Sequence, residues 1–198
     1  GIWNTIITVG LAVPVAAYLE SFNHTPTVEE DGTFVWTYSF RVAGILHTAE
    51  LRGRIEGDDV QWDMFSSSEG DDADFNWVSG VSTLTRTEGT WTLNKNPDEP
   101  TPFIEIEWHR DPDTGASDIT YTNVEPGAAG NGGYISFFLD PAADRDASYT
   151  IYSAEADNLT EIEWSRNEKS GRVRDMNHFG DDAWHCWDES LQNVDCSE

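Results

Sequence analysis

Lysine is nearly absent from this chain, since Lys95 and Lys169 are its only two among 198 residues. Lys and Arg together number 11 against 37 Asp and Glu, and the net charge is -26 at pH 7. Because binding to nucleic acid depends on basic contacts to phosphate, this composition excludes that class of partner. A surface rich in Asp and poor in Lys is favoured in salt-rich surroundings, where salt screens the repulsion between carboxylates. A large cation-binding surface is the alternative.

Catalytic motifs are also missing, because the sequence has no nucleophile elbow, P-loop, HExxH motif or Rossmann fingerprint. Two carboxylate pairs of the type that glycoside hydrolases use do occur, Glu105 with Glu107 and Glu161 with Glu163. On a strand each pair lies on one face about 7 Å apart, opposite the neighbouring Ile and Trp, which predicts a solvated acidic surface. We therefore expect no enzymatic activity, with a hydrolase as an alternative.

Only two cysteines are present, Cys186 and Cys196. With His178 and His185 nearby, their spacing does not match a zinc ligand set. In an oxidising compartment they would form a disulfide that stabilises the fold by about 2 to 3 kcal/mol, whereas in a reducing compartment they would be free. We predict the disulfide, which would tie down a short C-terminal cap, and an exported location.

The sequence has one long hydrophobic run, which extends from Ile2 to Leu19 and contains no charged residue. At 18 residues it is at the lower limit for a transmembrane helix, and Gly10 and Pro14 weaken a simple helix. A signal peptide would need a basic region, which could only lie upstream of Gly1. This apolar N-terminal segment (residues 2–19) therefore has three open roles: membrane contact, packing on the domain, or contact with a partner protein or a second copy.

Helical periodicity is scarce after residue 22, and the chain instead alternates apolar and polar residues. Residues 34–42 show this most clearly, with Phe34, Trp36 and Tyr38 on one face. About ten such strands follow one another, separated by turns rich in Gly, Pro and Asp. We predict an all-β antiparallel meander closed as an up-and-down barrel, with a two-sheet sandwich as the alternative. The domain would span residues 33–198, after an apolar segment at residues 1–22.

One short motif, Glu-Ile-Glu-Trp, occurs twice, at residues 105–108 and 161–164. A glycine follows each copy at the same distance, Gly115 and Gly171. On each strand the Ile and Trp share one face and the two glutamates share the other. Residues 91–119 and 149–173 resemble two versions of one hairpin unit, which predicts a duplicated wall in the barrel.

A ligand site is predicted on the apolar face of these repeated strands. Trp108 and Trp164 could stack a sugar or another flat ligand in a lumen or cleft, and Arg110 and Arg166 at its rim could bind an anionic group. The alternative for the tryptophans is core packing, and the alternative for the arginines is a buried pairing with a carboxylate.

Acidic turn clusters are candidates for calcium, which takes six to eight oxygen ligands. No cluster matches the EF-hand loop, and such clusters arise by chance in so acidic a chain. We expect no other cofactor. The two favoured clusters are Asp71, Asp72 and Asp74, and Asp111 and Asp113.

Several segments together resemble a known group of proteins. The two motif strands, residues 121–126 and residues 178–188 are similar to uncharacterised acidic β-rich proteins of marine and halophilic bacteria, many of them predicted lipoproteins. The resemblance covers most of residues 33–196. It implies export and lipid anchoring, and it brings no assigned activity or site residue.

These observations predict a non-enzymatic, exported protein that acts in binding or assembly at the cell surface, in the periplasm or outside the cell. The alternative is a structural subunit of a filament or a membrane complex. In that case the apolar N-terminal segment would be inserted into a neighbouring subunit or into the bilayer.

Overall fold

The structure is a computed structural model that describes residues 23–42, 44–68 and 75–196. The apolar N-terminal segment and the predicted calcium ligands Asp71, Asp72 and Asp74 lie outside the described residues. The predicted all-β class is confirmed, because the described chain contains fourteen strands and one helix of four residues, α1 (Met176–Phe179). The strands are β1 (Thr27–Val28), β2 (Phe34–Val42), β3 (Ile45–Glu56), β4 (Asp59–Ser68), β5 (Phe75–Thr83), β6 (Glu88–Asn94), β7 (Pro102–Arg110), β8 (Ser117–Asn123), β9 (Tyr134–Leu139), β10 (Ala147–Ser153), β11 (Asn158–Trp164), β12 (Gly171–Asp175), β13 (His185–Trp187) and β14 (Asn193–Val194).

The strands are antiparallel and lie in the sheet in chain order, which confirms the predicted meander. The turn between β3 and β4 shows how the sequence enforces this order. Glu56 pairs with Asp59, so Gly57 and Asp58 alone make the turn, and Gly57 has a φ of 66°. A two-residue hairpin requires positive φ at such a position, and glycine adopts it without a steric penalty.

The predicted barrel is wrong. The strand order begins at β1 and ends at β14, and in the described part of the chain β1 pairs with β2 alone and β14 with β13 alone. The strands also belong to one sheet rather than to the two sheets of the predicted sandwich. Alternation specifies which face each residue occupies, but closure depends on tilt and stagger, which alternation does not specify.

The chain divides into two compact units, Gly1–Phe103 and Ile104–Glu198. In the first unit, one sheet face carries a cluster of residues that are between 0% and 9% exposed: Tyr38, Phe40, Ala49, Leu51 and Met64. We call these five residues the first-unit core. Trp36, Trp62, Trp77 and Val78 pack against it and are half-buried.

A row of aromatic residues and glycines crosses the first unit beside this core. By strand register it consists of Phe34, Gly53, Trp62, Gly80 and Trp91. A Cβ atom at Gly53 would lie 2.8 Å from the Trp62 ring, and one at Gly80 would lie 2.7 Å from the Trp91 ring. Glycine is therefore needed at both positions, because the rings lie directly over the backbone of the neighbouring strands.

The second unit contains β8 to β14 and β7 from Ile104 onwards. The repeated motif lies on β7 and β11, with Trp and Ile on one face and the glutamates on the other. The two following glycines are not equivalent, because Gly115 lies in a turn with a φ of 77° whereas Gly171 pairs with Trp164 in the ladder. A Cβ at Gly171 would clash with the carbonyl oxygen of Glu163 and the Trp187 ring. The duplication therefore holds for the strands and not for the turns.

The predicted disulfide is confirmed between Cys186 and Cys196, whose Cα atoms are 5.2 Å apart. The cap that it was expected to tie across a barrel end is not formed in that way. Instead, β13 and β14 continue the sheet beside β12. Strands of two or three residues are too short to show an alternating pattern, so the sequence did not indicate them.

Candidate functional site

One face of the second unit is apolar and only partly buried. Cross-strand pairing places its residues in adjacent rows, so that Trp108, Ile119, Phe137, Tyr149, Ile162 and Val173 follow one another across β7 to β12. We call the set the open apolar face, and all its members are half-buried or exposed. Its members are Ile106, Trp108, Ile119, Tyr121, Ile135, Phe137, Leu139, Tyr149, Ile151, Ile162, Trp164 and Val173.

Three aromatic rings form the centre of the open apolar face. Tyr149 lies 5.1 Å from Phe137 and 5.5 Å from Trp164 between ring centroids, and the Tyr149 and Trp164 rings are stacked. Phe137 and Trp164 are 6.2 Å apart. These are favourable separations for aromatic pairs, yet Tyr149 keeps 39% of its surface exposed. The cluster therefore presents a preformed aromatic surface to solvent.

Tyr121 lies beside this cluster on β8. Burial raises the pKa of its hydroxyl above the usual range, and Tyr149 makes a smaller contribution in the same direction. The Tyr121 hydroxyl is therefore neutral at physiological pH and keeps the open apolar face free of charge at this position.

The opposite face of the same strands is polar and held by ion pairs. Glu161 accepts a hydrogen bond from Arg174 Nε at 2.9 Å, and Glu163 accepts one from Arg172 Nε at 2.8 Å. The Trp184 ring lies over both guanidinium groups, 4.2 Å from Arg172 and 5.0 Å from Arg174. Glu161 and Glu163 are thus engaged in ion pairs, which leaves them poorly suited to act as a hydrolytic pair.

Asp175 fixes the segment that leads to Trp184. Burial raises the pKa of its carboxyl, but hydrogen bonds from Thr160, the His178 backbone and Asn158 outweigh burial and lower the pKa overall. The bond from Thr160 Oγ1 is 2.5 Å long and that from the His178 backbone is 3.0 Å. Asp175 therefore caps α1 and joins it to β11.

Trp108 and Trp164 lie on the same face but not in one small site. Cross-strand pairing puts Trp164 in the same row as Arg110 and Trp108 in the adjacent row. The two tryptophans are also on strands β7 and β11, which are four strand spacings, or about 19 Å, apart. The two rings cannot stack one small flat ligand between them. Trp164 belongs instead to the aromatic cluster, whose members Phe137 and Tyr149 were not predicted as site residues although their alternation on β9 and β10 was visible.

Arg110 and Arg166 differ in their surroundings. Arg110 is exposed at the end of β7, in the same row as Trp164. Arg166 follows β11 and donates from its backbone N–H at 2.8 Å and from Nε at 2.7 Å to Asp146. These bonds, the backbone one first, lower the pKa of Asp146. Arg166 therefore has the carboxylate partner that we considered as an alternative, although its side chain remains half exposed.

Asp111 and Asp113 lie in the turn between β7 and β8. Asp111 Oδ1 accepts hydrogen bonds from the backbone N–H of Asp113 at 2.8 Å and of Thr114 at 3.3 Å. The Thr114 side chain and these two N–H groups lower the pKa of Asp111. This carboxylate shapes its own turn, and among the described residues no three His, Cys, Asp or Glu side chains form a group that could hold a metal. Calcium binding stays a prediction.

No helix within the described ranges is long and apolar enough to cross a membrane. The Cys186–Cys196 disulfide is compatible with an oxidising, exported location. Comparison with protein-family models, curated proteins and solved structures found no match for the chain. The open apolar face is therefore the feature of the described chain from which a function can be inferred.

Proposed function

We propose that this chain is a non-enzymatic, exported binding protein that holds a partner protein on its open apolar face. The observation that carries the proposal is the aromatic cluster of Phe137, Tyr149 and Trp164, which is ordered in advance and partly exposed. Preformed aromatic surfaces of this kind are typical of the centres of protein interfaces.

The open apolar face has a modest size. Six strands give a width of about 24 Å, and three cross-strand rows give a length of about 14 Å, a footprint of about 340 Å². Twelve of its eighteen positions belong to the open apolar face, and the other six include Arg110, Thr160 and Asp175. The apolar part is therefore about 230 Å², which is within the few hundred Å² that apolar patches reach on soluble monomers.

The charge around the face indicates the chemistry of the partner. Residues 104–198 contain 21 acidic and 6 basic residues, a net charge of -15. At one end of the strands, the turns after β8 and β10 carry Glu125, Glu155 and Asp157 and no basic residue. We call these three residues the acidic margin. A partner with an apolar centre and basic residues at its edge is attracted to this arrangement, whereas a second copy of this chain is repelled.

The test uses adjacent residues that point to opposite faces of β9. Phe137 belongs to the open apolar face, while Phe138 pairs with Asp118 and Ser148 on the polar face and is 46% exposed. The probe is an amphipathic Leu/Lys helical peptide, with a Leu/Glu peptide of equal length as its control. We expect Phe137→Ser to weaken binding of the Leu/Lys peptide at least about tenfold, and Phe138→Ser to leave it within about twofold.

Isothermal titration calorimetry measures these affinities, and sedimentation velocity reports self-association in the same samples. Equal effects of the two substitutions would contradict the proposal. Equal affinities for the Leu/Lys and Leu/Glu peptides would contradict the proposal that the partner is basic at its edge. If the natural chain forms dimers and Phe137→Ser converts them to monomers, the open apolar face binds a second copy of this chain instead of a partner protein.

A further inference from the structure

We propose that the partner-binding surface of the second unit continues past β12 onto β13, through His185 and Trp187. The Cys186–Cys196 disulfide holds these two residues in place, so that strong binding of the partner requires the oxidised chain. This inference rests on the proposed function, to which it adds new contact residues and a redox condition. We call His185, Trp187 and Phe179, whose ring stacks on His185, the β13 extension.

Strand register places both residues of β13 on the apolar side of the sheet. Trp187 pairs with Gly171, which pairs with Trp164, so these three residues form one row. His185 pairs with Val173, a member of the open apolar face, in the adjacent row. Residues directly opposite each other on antiparallel strands lie on the same face. Two rows of the open apolar face therefore extend to β13.

The Trp187 ring lies over Gly171, beside Trp164. A Cβ atom at Gly171 would clash with the Trp187 ring and would lie 2.7 Å from Cβ of Trp164. Glycine therefore leaves the room in which the two tryptophans flank one backbone position. Trp187 Nε1 also donates a hydrogen bond to the carbonyl oxygen of Lys169 at 3.0 Å, which fixes the orientation of the ring. Because Trp187 is only half-buried, part of its surface is available to a partner.

His185 and Phe179 form a second aromatic contact beside Trp187. Their rings are stacked, with centroids 3.8 Å apart and an interplanar angle of 13°. Nε2 of His185 lies 3.0 Å from Oδ1 of Asp181, which holds the imidazole on its other edge. Phe179 is 36% exposed and His185 is half-buried. This end of the sheet therefore carries aromatic rings that are ordered in advance and partly exposed, as in the aromatic cluster.

The charge around β13 matches the partner proposed for the open apolar face. Residues 176–196 contain five acidic residues and no Lys or Arg. Asp181 and Asp182 precede β13, and Asp188 and Glu189 follow it. Basic residues at the edge of a partner are attracted to these carboxylates as they are to the acidic margin. The β13 extension and the open apolar face therefore suit one and the same partner.

The disulfide is needed because β13 and β14 are short. They have three and two residues, and β13 alone connects β14 to the rest of the described sheet. Cys186 lies between His185 and Trp187 and points to the opposite face, and its bond to Cys196 ties β13 to the chain that follows β14. A short two-stranded hairpin is marginally stable by itself, so opening this loop allows β13 to leave β12.

The redox step needs a dithiol as the reductant. One thiolate of the dithiol attacks a sulfur of the disulfide, so that the S–S bond breaks and a mixed disulfide forms. The second thiol of the reductant then displaces the chain, which leaves Cys186 and Cys196 as thiols and the reductant as a cyclic disulfide. Two electrons and two protons pass to the chain in this exchange. Cys196 is exposed, which leaves the disulfide accessible to such a reductant.

The first test compares two tryptophans of one segment that lie on opposite faces. Trp187 belongs to the β13 extension, whereas the Trp184 ring lies over Arg172 and Arg174 on the polar face. Fluorescence anisotropy of a labelled Leu/Lys peptide without cysteine measures the affinities. We expect Trp187→Ser to weaken binding at least about fivefold and Trp184→Ser to leave it within about twofold. Equal effects of the two substitutions would overturn the proposal.

The second test compares the oxidised chain with the chain reduced by dithiothreitol. We expect reduction to weaken binding of the same peptide at least about fivefold, and a variant with both Cys186→Ser and Cys196→Ser to bind weakly with or without dithiothreitol. On reduction, hydrogen exchange should accelerate at least about tenfold in β13 and stay unchanged in β9 to β11. Unchanged affinity on reduction, or accelerated exchange in β9 to β11, would overturn the proposal.

Phe137→Ser distinguishes a failure of this inference from a failure of the proposed function. If Phe137→Ser weakens binding of the peptide while Trp187→Ser and reduction do not, the open apolar face binds the partner and the β13 extension does not. If Phe137→Ser leaves binding unchanged, the proposed function is wrong, and the inference about β13 is wrong with it.

Discussion

Both units contain strands in which apolar and polar residues alternate, but their apolar faces differ in solvent exposure. In the first unit Tyr38, Leu51 and Met64 are at most 4% exposed, whereas in the second unit Tyr149 keeps 39% of its surface exposed. Both faces are built from large aromatic and aliphatic side chains in cross-strand rows. An alternating pattern therefore identifies an apolar face, but it does not show whether that face is a buried core or a binding surface.

The largest expected effect comes from truncating a side chain on each face. Leu51→Ala leaves a cavity among side chains that are at most 9% exposed and should lower the free energy of unfolding by about 2 to 5 kcal/mol. Ile162→Ala removes a residue from the half-buried face and should cost about 1 kcal/mol. Urea denaturation of both variants measures the contrast, and equal costs would mean that the two faces do not differ in burial.

The disulfide tests how the second unit is stabilised although its apolar face is only partly buried. Replacing both Cys186 and Cys196 by Ser should lower the free energy of unfolding by about 2 to 3 kcal/mol, because the open loop gains entropy in the unfolded chain. Hydrogen exchange should accelerate in β12 to β14 and stay unchanged in β2 to β4. If exchange in β2 to β4 also accelerated, the units would not be separate in stability.

The glycines of the aromatic row test how tightly the first unit is packed. Gly53→Ala places a Cβ 2.8 Å from the Trp62 ring, so the ring must move, and we expect a cost of about 1 to 3 kcal/mol. The matched control is Ser79→Ala, since Ser79 pairs with Thr92 on the opposite face. Thermal unfolding should give a lower Tm for Gly53→Ala than for Ser79→Ala. A Gly53→Ala variant as stable as the Ser79→Ala variant would show that this region is loosely packed.

Acid should affect the second unit through Asp175. The pKa of this carboxyl is lower in the folded chain than its usual value of 3.8, so its stabilising effect is complete above that value. The effect is lost as the pH falls through the lower folded pKa, because protonation then favours the unfolded chain. Asp175→Asn should flatten the stability curve of the second unit between pH 5 and roughly pH 2. If Asp175→Asn left the dependence of unfolding free energy on pH unchanged, Asp175 would not contribute to the acid sensitivity of the second unit.

The smallest expected effect concerns the ion pairs on the polar face. Glu161→Gln weakens the contact with Arg174 and should change the free energy of unfolding by at most about 1 kcal/mol, because both side chains are about one-third exposed. Salt should reduce this difference by screening the pair. The corresponding pair of Glu163 and Arg172 provides an internal repeat of the measurement through Glu163→Gln.

Part of this structure could be predicted from the sequence because it depends on local rules. The alternation of apolar and polar residues predicts the strands at residues 34–42 and 134–139. It also predicts that Trp108 and Trp164 lie on the apolar face of their strands. The disulfide followed from having only two cysteines. The failure to close into a barrel could not be predicted, because it depends on how many strands twist together over the whole sheet.

The candidate site was only partly visible for a similar reason. Trp164 was identified, but its neighbours Phe137 and Tyr149 come from β9 and β10, and their contact depends on the register of three strands. Arg166 could not be assigned, since its partner Asp146 lies in a turn 20 residues earlier. Exposure was the decisive property, and it depends on what covers each face rather than on the strand itself.

Hydroxyl-radical footprinting of the intact chain tests the central contrast most directly, because mass spectrometry reports the oxidation of each side chain separately. The account predicts that Tyr149 and Trp164 are oxidised at least several times faster than Tyr38 and Phe40 after correction for intrinsic reactivity. Equal protection of the four side chains, or faster oxidation of Tyr38 and Phe40, would contradict a buried first-unit core and a partly exposed open apolar face.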